Sequence, residues 1–193
     1  MSRFILRFCA TIIAFAPVAA SAHVGAGDTH DFVHGFSHPL GGIDHVLAMV
    51  AVGLFAAQLG GRALWLLPFT FVSVMALAGI VGMAGAKIPF VEIGIGISVV
   101  VFGLAVALQL SVPMVAAMGL VGFFAIFHGH AHGAEMPESV SGFAYGIGFI
   151  CATAVLHAIG VGLGLTGQIY SRRIVRIAGS VMAIAGAAIL TLP

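Results

Sequence analysis

Charge is what this sequence has least of. Of its 193 residues, 7% are Asp, Glu, Lys or Arg and 61% are hydrophobic, with a mean hydropathy of +1.21. A soluble domain carries roughly 25% charged residues, so this chain cannot cover a water-facing surface. Its natural solvent is a bilayer. Lysine is nearly missing. Lys87 is the only one and Ile88 follows it, so there is no Gly-x-x-x-x-Gly-Lys-Ser/Thr phosphate loop to hydrolyse nucleotide. Cysteine is scarce too: Cys9 and Cys151 supply neither a disulfide framework nor a thiolate metal site. Without Arg3 and Arg7, which belong to the leader described below, 5 basic residues face 6 acidic ones. That balance gives no basis for nucleic-acid binding. No internal repeat and no soluble domain is readable.

Glycine, by contrast, is abundant at 27 residues, as expected where transmembrane helices pack closely through small side chains. Residues 1–22 read as a cleavable export signal. Arg3 and Arg7 make a basic start, residues 8–19 are apolar, and Ala20-Ser21-Ala22 fits the small-x-small rule. An uncleaved first helix is the alternative. The remaining domain, 23–193, must be measured against a bilayer core of about 30 Å, which needs roughly 20 apolar helical residues. Six stretches qualify or nearly so: 39–59, 63–85, 91–110, 112–127, 140–164 and 174–192. The expected fold is an all-α membrane protein, a bundle of six transmembrane helices after a cleavable signal peptide. The connections carry turn formers, Gly60-Gly61 among them. Signal cleavage places the mature N-terminus in the periplasm and the chain in the inner (cytoplasmic) membrane. Arg62, Arg172, Arg173 and Arg176 then fall inside and only Lys87 outside, in keeping with the positive-inside rule. Asp28, Asp31, Asp44, Glu92, Glu135 and Glu138 all belong to the outer half, a rim that attracts cations.

The nine histidines are clustered. Five form the run His23, His30, His34, His38 and His45, and three more follow as His128, His130 and His132. The topology brings both groups to the same membrane face. Ser37-His38-Pro39 reads as a helix start, since proline tolerates the first turn. His45, seven residues after His38, can share its face, with Asp44 beside it and Met49 one turn below. An Asp at the bilayer centre costs about 2.5–3.5 kcal/mol on insertion scales, so Asp44 calls for a cation or a hydrogen-bond partner. A structural Asp44–His45 pair is the competing reading. His128 and His132 lie four apart, on one helical face, and Glu135 adds an oxygen donor. An exposed His-rich loop is the competing reading there, and His130 points away from the pair. Imidazole plus carboxylate without thiolate suits nickel, cobalt, zinc or copper(II), and the ligand types do not choose among them. Weaker metal or pathway candidates are His23, whose free amine could chelate after cleavage, His30 and His34 ahead of the first span, and His157 within the fifth.

The two histidine patterns resemble those of the HupE/UreJ family of nickel and cobalt permeases. The first family pattern, His, five residues, then Asp-His, matches His38 through Asp44-His45. The second, Phe-His-Gly-x-Ala/Val-His-Gly-x-Glu, matches Phe127 through Glu135 without a departure. The resemblance covers essentially the whole mature chain. It implies a secondary transporter taking up divalent nickel, in some members cobalt, to supply hydrogenase or urease maturation. The metal is then cargo, with no permanent cofactor and no enzymatic activity, and the partners are the ion and the lipid bilayer, with a homo-oligomer left open. By this analogy His38, Asp44, His45, His128, His132 and Glu135 are the functional residues, and the ion passes inward between the first, fourth and fifth spans. The rival reading is a membrane metal- or haem-binding protein using the same histidines, as a metalloenzyme or as a metal sensor or store. A b-haem between His45 and His128 would show in visible absorbance.

Overall fold

The computed structural model describes residues 28–137 and 139–191. The expected export signal (residues 1–22), His23 and Glu138 lie outside the described residues. The described chain is all helical: α1 Asp28–Ser37, a 3-10 turn His38–Leu40, α2 Ile43–Leu59, α3 Ala63–Met83, α4 Val91–Ala107, α5 Met114–Ala134, α6 Gly142–Tyr170 and α7 Arg172–Ile189. Among the described residues there is no strand. By length and composition α3, α5 and α6 can each cross a membrane, and α1 with its turn and α2 make a fourth span if that bent pair is counted as one. Helix α4 is apolar but has 17 residues, about 26 Å of rise, slightly less than a ~30 Å hydrocarbon core. Helix α7 opens on Arg172, Arg173 and Arg176, which shorten its apolar run.

Several boundaries differ from the sequence reading, α6 running on to Tyr170 rather than 164, and two of the differences move site residues. A single helix from residue 39 to 59 is expected, but the chain breaks at Gly41-Gly42, and the segments on either side meet at 81°. Pro39 starts only the 3-10 turn, and Gly42 adopts an extended conformation (φ −103°, ψ 117°) before α2 begins. His38 and His45 therefore do not share one face of a continuous helix. In the other direction, α5 runs on to Ala134 rather than stopping at Phe127, so the second histidine group is helical and not an unwound loop.

Glycines bring four helix pairs into backbone contact, one of them α1 with α6, where Gly35 meets Tyr145 and Gly148 meets Phe32. Gly129 and Gly133 of α5 lie against the backbone of Met75 and Gly79 of α3. Gly53 of α2 and Gly160 of α6 abut each other's helices, and Gly103 of α4 meets Gly179 and Ala183 of α7. Without side chains at these points the backbones approach closely, as membrane helices do in the absence of a hydrophobic driving force between them. The same absence of side chains stabilises a glycine-bearing helix only where a neighbour fills the space, which is how α5 carries two glycines through its last turns. The core holds Phe55, Phe71, Phe102, Val106 and Val121, while Phe69, Leu77, Phe123 and Ile184 point outward. An apolar exterior of this kind suits lipid. Gly60 and Gly61 turn the chain between α2 and α3 with φ of +68° and +52°, a region that favours glycine.

Candidate metal centre

The start of α2 and the end of α5 come together at one end of the bundle. The His45 ring, in the first turn of α2, lies 4.9 Å from the His128 ring and 4.3 Å from the His132 ring, centroid to centroid. His38, presented by the turn ahead of α2, lies 4.8 Å from His132. Its Nε2–H donates to Glu135 Oε2 at 3.2 Å. Two segments more than 80 residues apart in sequence thus build one cluster. His38, His132 and Glu135 each place one ligand atom within 4.8 Å of the other two. Ligand atoms on a single ion with bonds of about 2.0–2.2 Å stand roughly 3–3.5 Å apart, so a closure on the order of 1 Å would complete a shared site.

Hydrogen bonds fix which nitrogen of two histidines is free. Asp44 Oδ1 accepts the backbone N–H of His45 at 2.8 Å and the His45 Nδ1–H at 2.9 Å. Nε2 of His45 therefore keeps its lone pair. The Ser98 hydroxyl of α4 donates to the Ile95 carbonyl at 2.6 Å, so its oxygen can only accept from His128 Nε2–H at 2.9 Å. That leaves the lone pair of His128 on Nδ1. Both free nitrogens are buried and without a protein partner among the described residues, as are both nitrogens of His132. A buried polar atom left unpaired costs roughly 1–3 kcal/mol, and several in touching rings need a common compensation. Imidazoles oriented from behind by a carboxylate or hydroxyl are the arrangement of metal ligands and their supporting shell. Asp44 fits the supporting role, with its charge held beside the site.

Burial deepens along the cluster. Side-chain exposure is 56% at Glu135 and 26% at His38, while the inner three residues are closed off, at 4% for His132, 9% for His45 and 0% for His128. The two motifs seen in the sequence are thus one array, open at Glu135 and closed at His128. The sequence pattern of the family described as HupE / UreJ protein matches residues 11–189. The chain belongs to the HupE/UreJ family. Protein HupE of Rhizobium leguminosarum bv. viciae is 43% identical over 190 residues, 95% of this chain and 97% of that protein. No solved structure matches the chain.

Within this HupE/UreJ chain the other sequence candidates divide. His34 stands beside the mouth, its ring 6.1 Å from His38 and 5.8 Å from Tyr145. His30 is exposed and touches none of these rings, and Met49 is fully buried in the apolar core. His130 turns away, as its spacing implies, and its Nε2–H donates to the Ala86 carbonyl at 2.6 Å, tying α5 to the segment after α3. His157 lies deeper, in mid-α6, with Phe71 between its own surroundings and the cluster. Asp31, expected in a cation-attracting rim, instead accepts the Ser141 backbone N–H at 2.8 Å and anchors α1 to the start of α6. Sequence reasoning missed Ser98, Tyr145 and Phe149. The Phe149 ring covers His132 at 4.1 Å, and Tyr145 stands 5.8 Å from His38 with its hydroxyl buried. Ser98 could have been noticed as the one hydroxyl inside the apolar run 91–107.

Proposed function

We propose that this HupE/UreJ chain is a secondary permease that takes up divalent nickel, or cobalt, across the inner membrane, to supply maturation of a metalloenzyme such as hydrogenase or urease. In this reading the chain crosses six times. The bent α1–turn–α2 segment is the first span, α3 to α7 are the others, the histidine end is periplasmic and the arginine end cytoplasmic. The observation that carries the proposal is a contiguous line of donors that begins at exposed Glu135 and ends at fully enclosed His128.

The chemistry follows that line of contacts. Glu135 and His38 meet the hydrated cation at the surface, where a carboxylate attracts charge and an imidazole begins to replace water. His132, which touches both His38 and His45, passes the ion on to His45 Nε2 and His128 Nδ1. Asp44, hydrogen-bonded to His45, offsets the ion's charge from the edge of the buried cluster. Imidazole with carboxylate favours borderline divalent ions over magnesium and calcium, which take more oxygen. A membrane potential is worth about 2.3 kcal/mol per charge per 100 mV, so about twice that draws a divalent cation inward without nucleotide hydrolysis. The haem alternative finds no support in the geometry: the His45 and His128 rings are in edge contact at 4.9 Å, with no porphyrin-thick gap between them.

The test is nickel uptake by proteoliposomes. Wild type should accumulate radioactive nickel under an inside-negative potential, and Asp44→Ala should insert and remain monodisperse yet lose uptake. An Asp44→Ala protein that transports at the wild-type rate would refute the proposal.

A further inference from the structure

We propose a second ion station in the middle of the bundle, built around His157 and screened from the histidine cluster by the ring of Phe71. It rests on the permease reading and adds a step to it. His157 is 1% exposed, and neither of its ring nitrogens has a partner among the described residues. A histidine kept only for packing would pair at least one of them with a neighbouring helix. Here its closest ring is Phe71 of α3, edge-on at 5.1 Å, and the other side of that contact reaches His128 at 5.4 Å. The two imidazoles thus share one apolar neighbour.

Depth separates the two sites. Gly53 packs against the backbone carbonyl of His157 and lies eight residues beyond His45 on α2, about 12 Å farther along the helix. That offset sets the His157 backbone apart from His45, and between His157 and His128, the deepest ring of the cluster, stands the Phe71 ring that contacts both. Other donors stand near His157. One turn earlier on α6, the fully buried Thr153 hydroxyl donates to the Met75 sulfur at 3.7 Å, and Met75 is one turn from Phe71 on α3. Imidazole, thioether and hydroxyl form a sparse, soft-to-borderline set. Such a set would hold an ion that keeps part of its water, briefly enough to release it. On the far side, Gln168 lies eleven residues after His157, about 16 Å on. With Gln58, Gln109 and Arg172 it lines a polar cavity of about 240 Å³ at the arginine end. Among the described residues His157 is therefore the one histidine between an outer cluster and an inner polar vestibule. An ion crossing that apolar stretch needs such a halt.

Transport and capture, measured separately, test the station. The variants are His157→Asn and His157→Gln, with cobalt(II) binding in detergent reporting capture and radioactive nickel uptake in proteoliposomes reporting flux. The expected result is capture within about twofold of wild type and flux reduced at least tenfold in both variants. Phe71→Leu, which thins the screen and keeps every donor, should conduct at least as fast as wild type. Unchanged flux in either His157 variant would overturn the proposal. Loss of capture together with flux in both would overturn it as well, by making His157 a packing residue. If wild-type vesicles admitted no ion at all, the permease reading itself would fall, and the assay tells that failure apart from the failure of the station.

Discussion

Ser98→Ala tests the claim that the cluster is oriented from behind. In the native protein the Ser98 oxygen accepts from His128 Nε2–H at 2.9 Å because its own proton is committed to Ile95 at 2.6 Å. Alanine removes that acceptor at a site with no solvent, since Ser98 and His128 are both 0% exposed. His128 Nε2–H is then unpaired, and the ring is free to rotate or change tautomer, which takes Nδ1 out of the proposed ligand set. Removing a supporting partner of this kind typically lowers metal affinity 10–100-fold, or about 1.4–2.7 kcal/mol. The Ile95 carbonyl is not stranded, because it belongs to the interior of α4. The assay is calorimetric titration of cobalt(II) or nickel into protein in detergent, in the wild-type and His128→Ala backgrounds. Ser98→Ala should weaken binding at least tenfold in the first. In the second it should change binding by no more than the 0.3–0.5 kcal/mol typical of uncoupled sites. Binding within twofold of wild type in the single variant, or an equal loss in both backgrounds, would refute the orienting role.

Gly133→Ala puts a Cβ into the backbone of Gly79 and should lower thermal stability in detergent by about 1–3 kcal/mol or more. Gly162→Ala, where a Cβ meets nothing within 4 Å, should not. His130→Ala breaks the bond to the Ala86 carbonyl and should cost roughly 1–3 kcal/mol of stability while leaving cobalt affinity unchanged, the reverse of His132→Ala. Protons compete with the ion for imidazole lone pairs, so nickel uptake should fall as the medium is acidified. Uptake that rose steadily down to about pH 5 would count against capture by histidine.

Much of the site is legible from spacing because its residues act as patterns. Four-residue spacing puts His128 and His132 on one face and sends His130 off it, and the structure uses all three in that sense. Asp44 next to His45 announces a partnership, and the 2.8 and 2.9 Å bonds define it as support for the ring. What spacing does not carry is the third dimension. Ser98 is one hydroxyl in an apolar run, and its partner stands 30 residues away on another helix. The break at Gly41-Gly42 is hidden because Pro39 permits both a full helix and a short 3-10 turn, and only the packing of α1 against α6 selects the second. Hydropathy likewise locates the apolar runs, but a 17-residue helix and an arginine-headed one do not by length alone declare that they span.

Three of the glycine-packed pairs contribute side chains to the cluster, and this bears on how an ion could leave it. His45 belongs to α2, paired with α6; His128 and His132 belong to α5, paired with α3; Ser98 belongs to α4, paired with α7. Within a pair, backbone contact leaves little room for sliding, because close-packed interfaces shift between discrete arrangements and do not stretch. Between pairs the contacts are side chains, which can re-pack. Ligand distances such as His45 to His128 should therefore change when pairs move against one another and stay constant when each moves as a unit. Spin labels at exposed positions can distinguish these motions in a cysteine-free background. Trp65 with Val115 reports on α3 against α5, and Val115 with Ile169 reports on α5 against α6. Saturating nickel should leave the first distance distribution unchanged and shift or broaden the second. If the α3–α5 distance moved as much as the α5–α6 distance, the pairs would not be the moving units, and release of the ion would have to come from side-chain rotation alone.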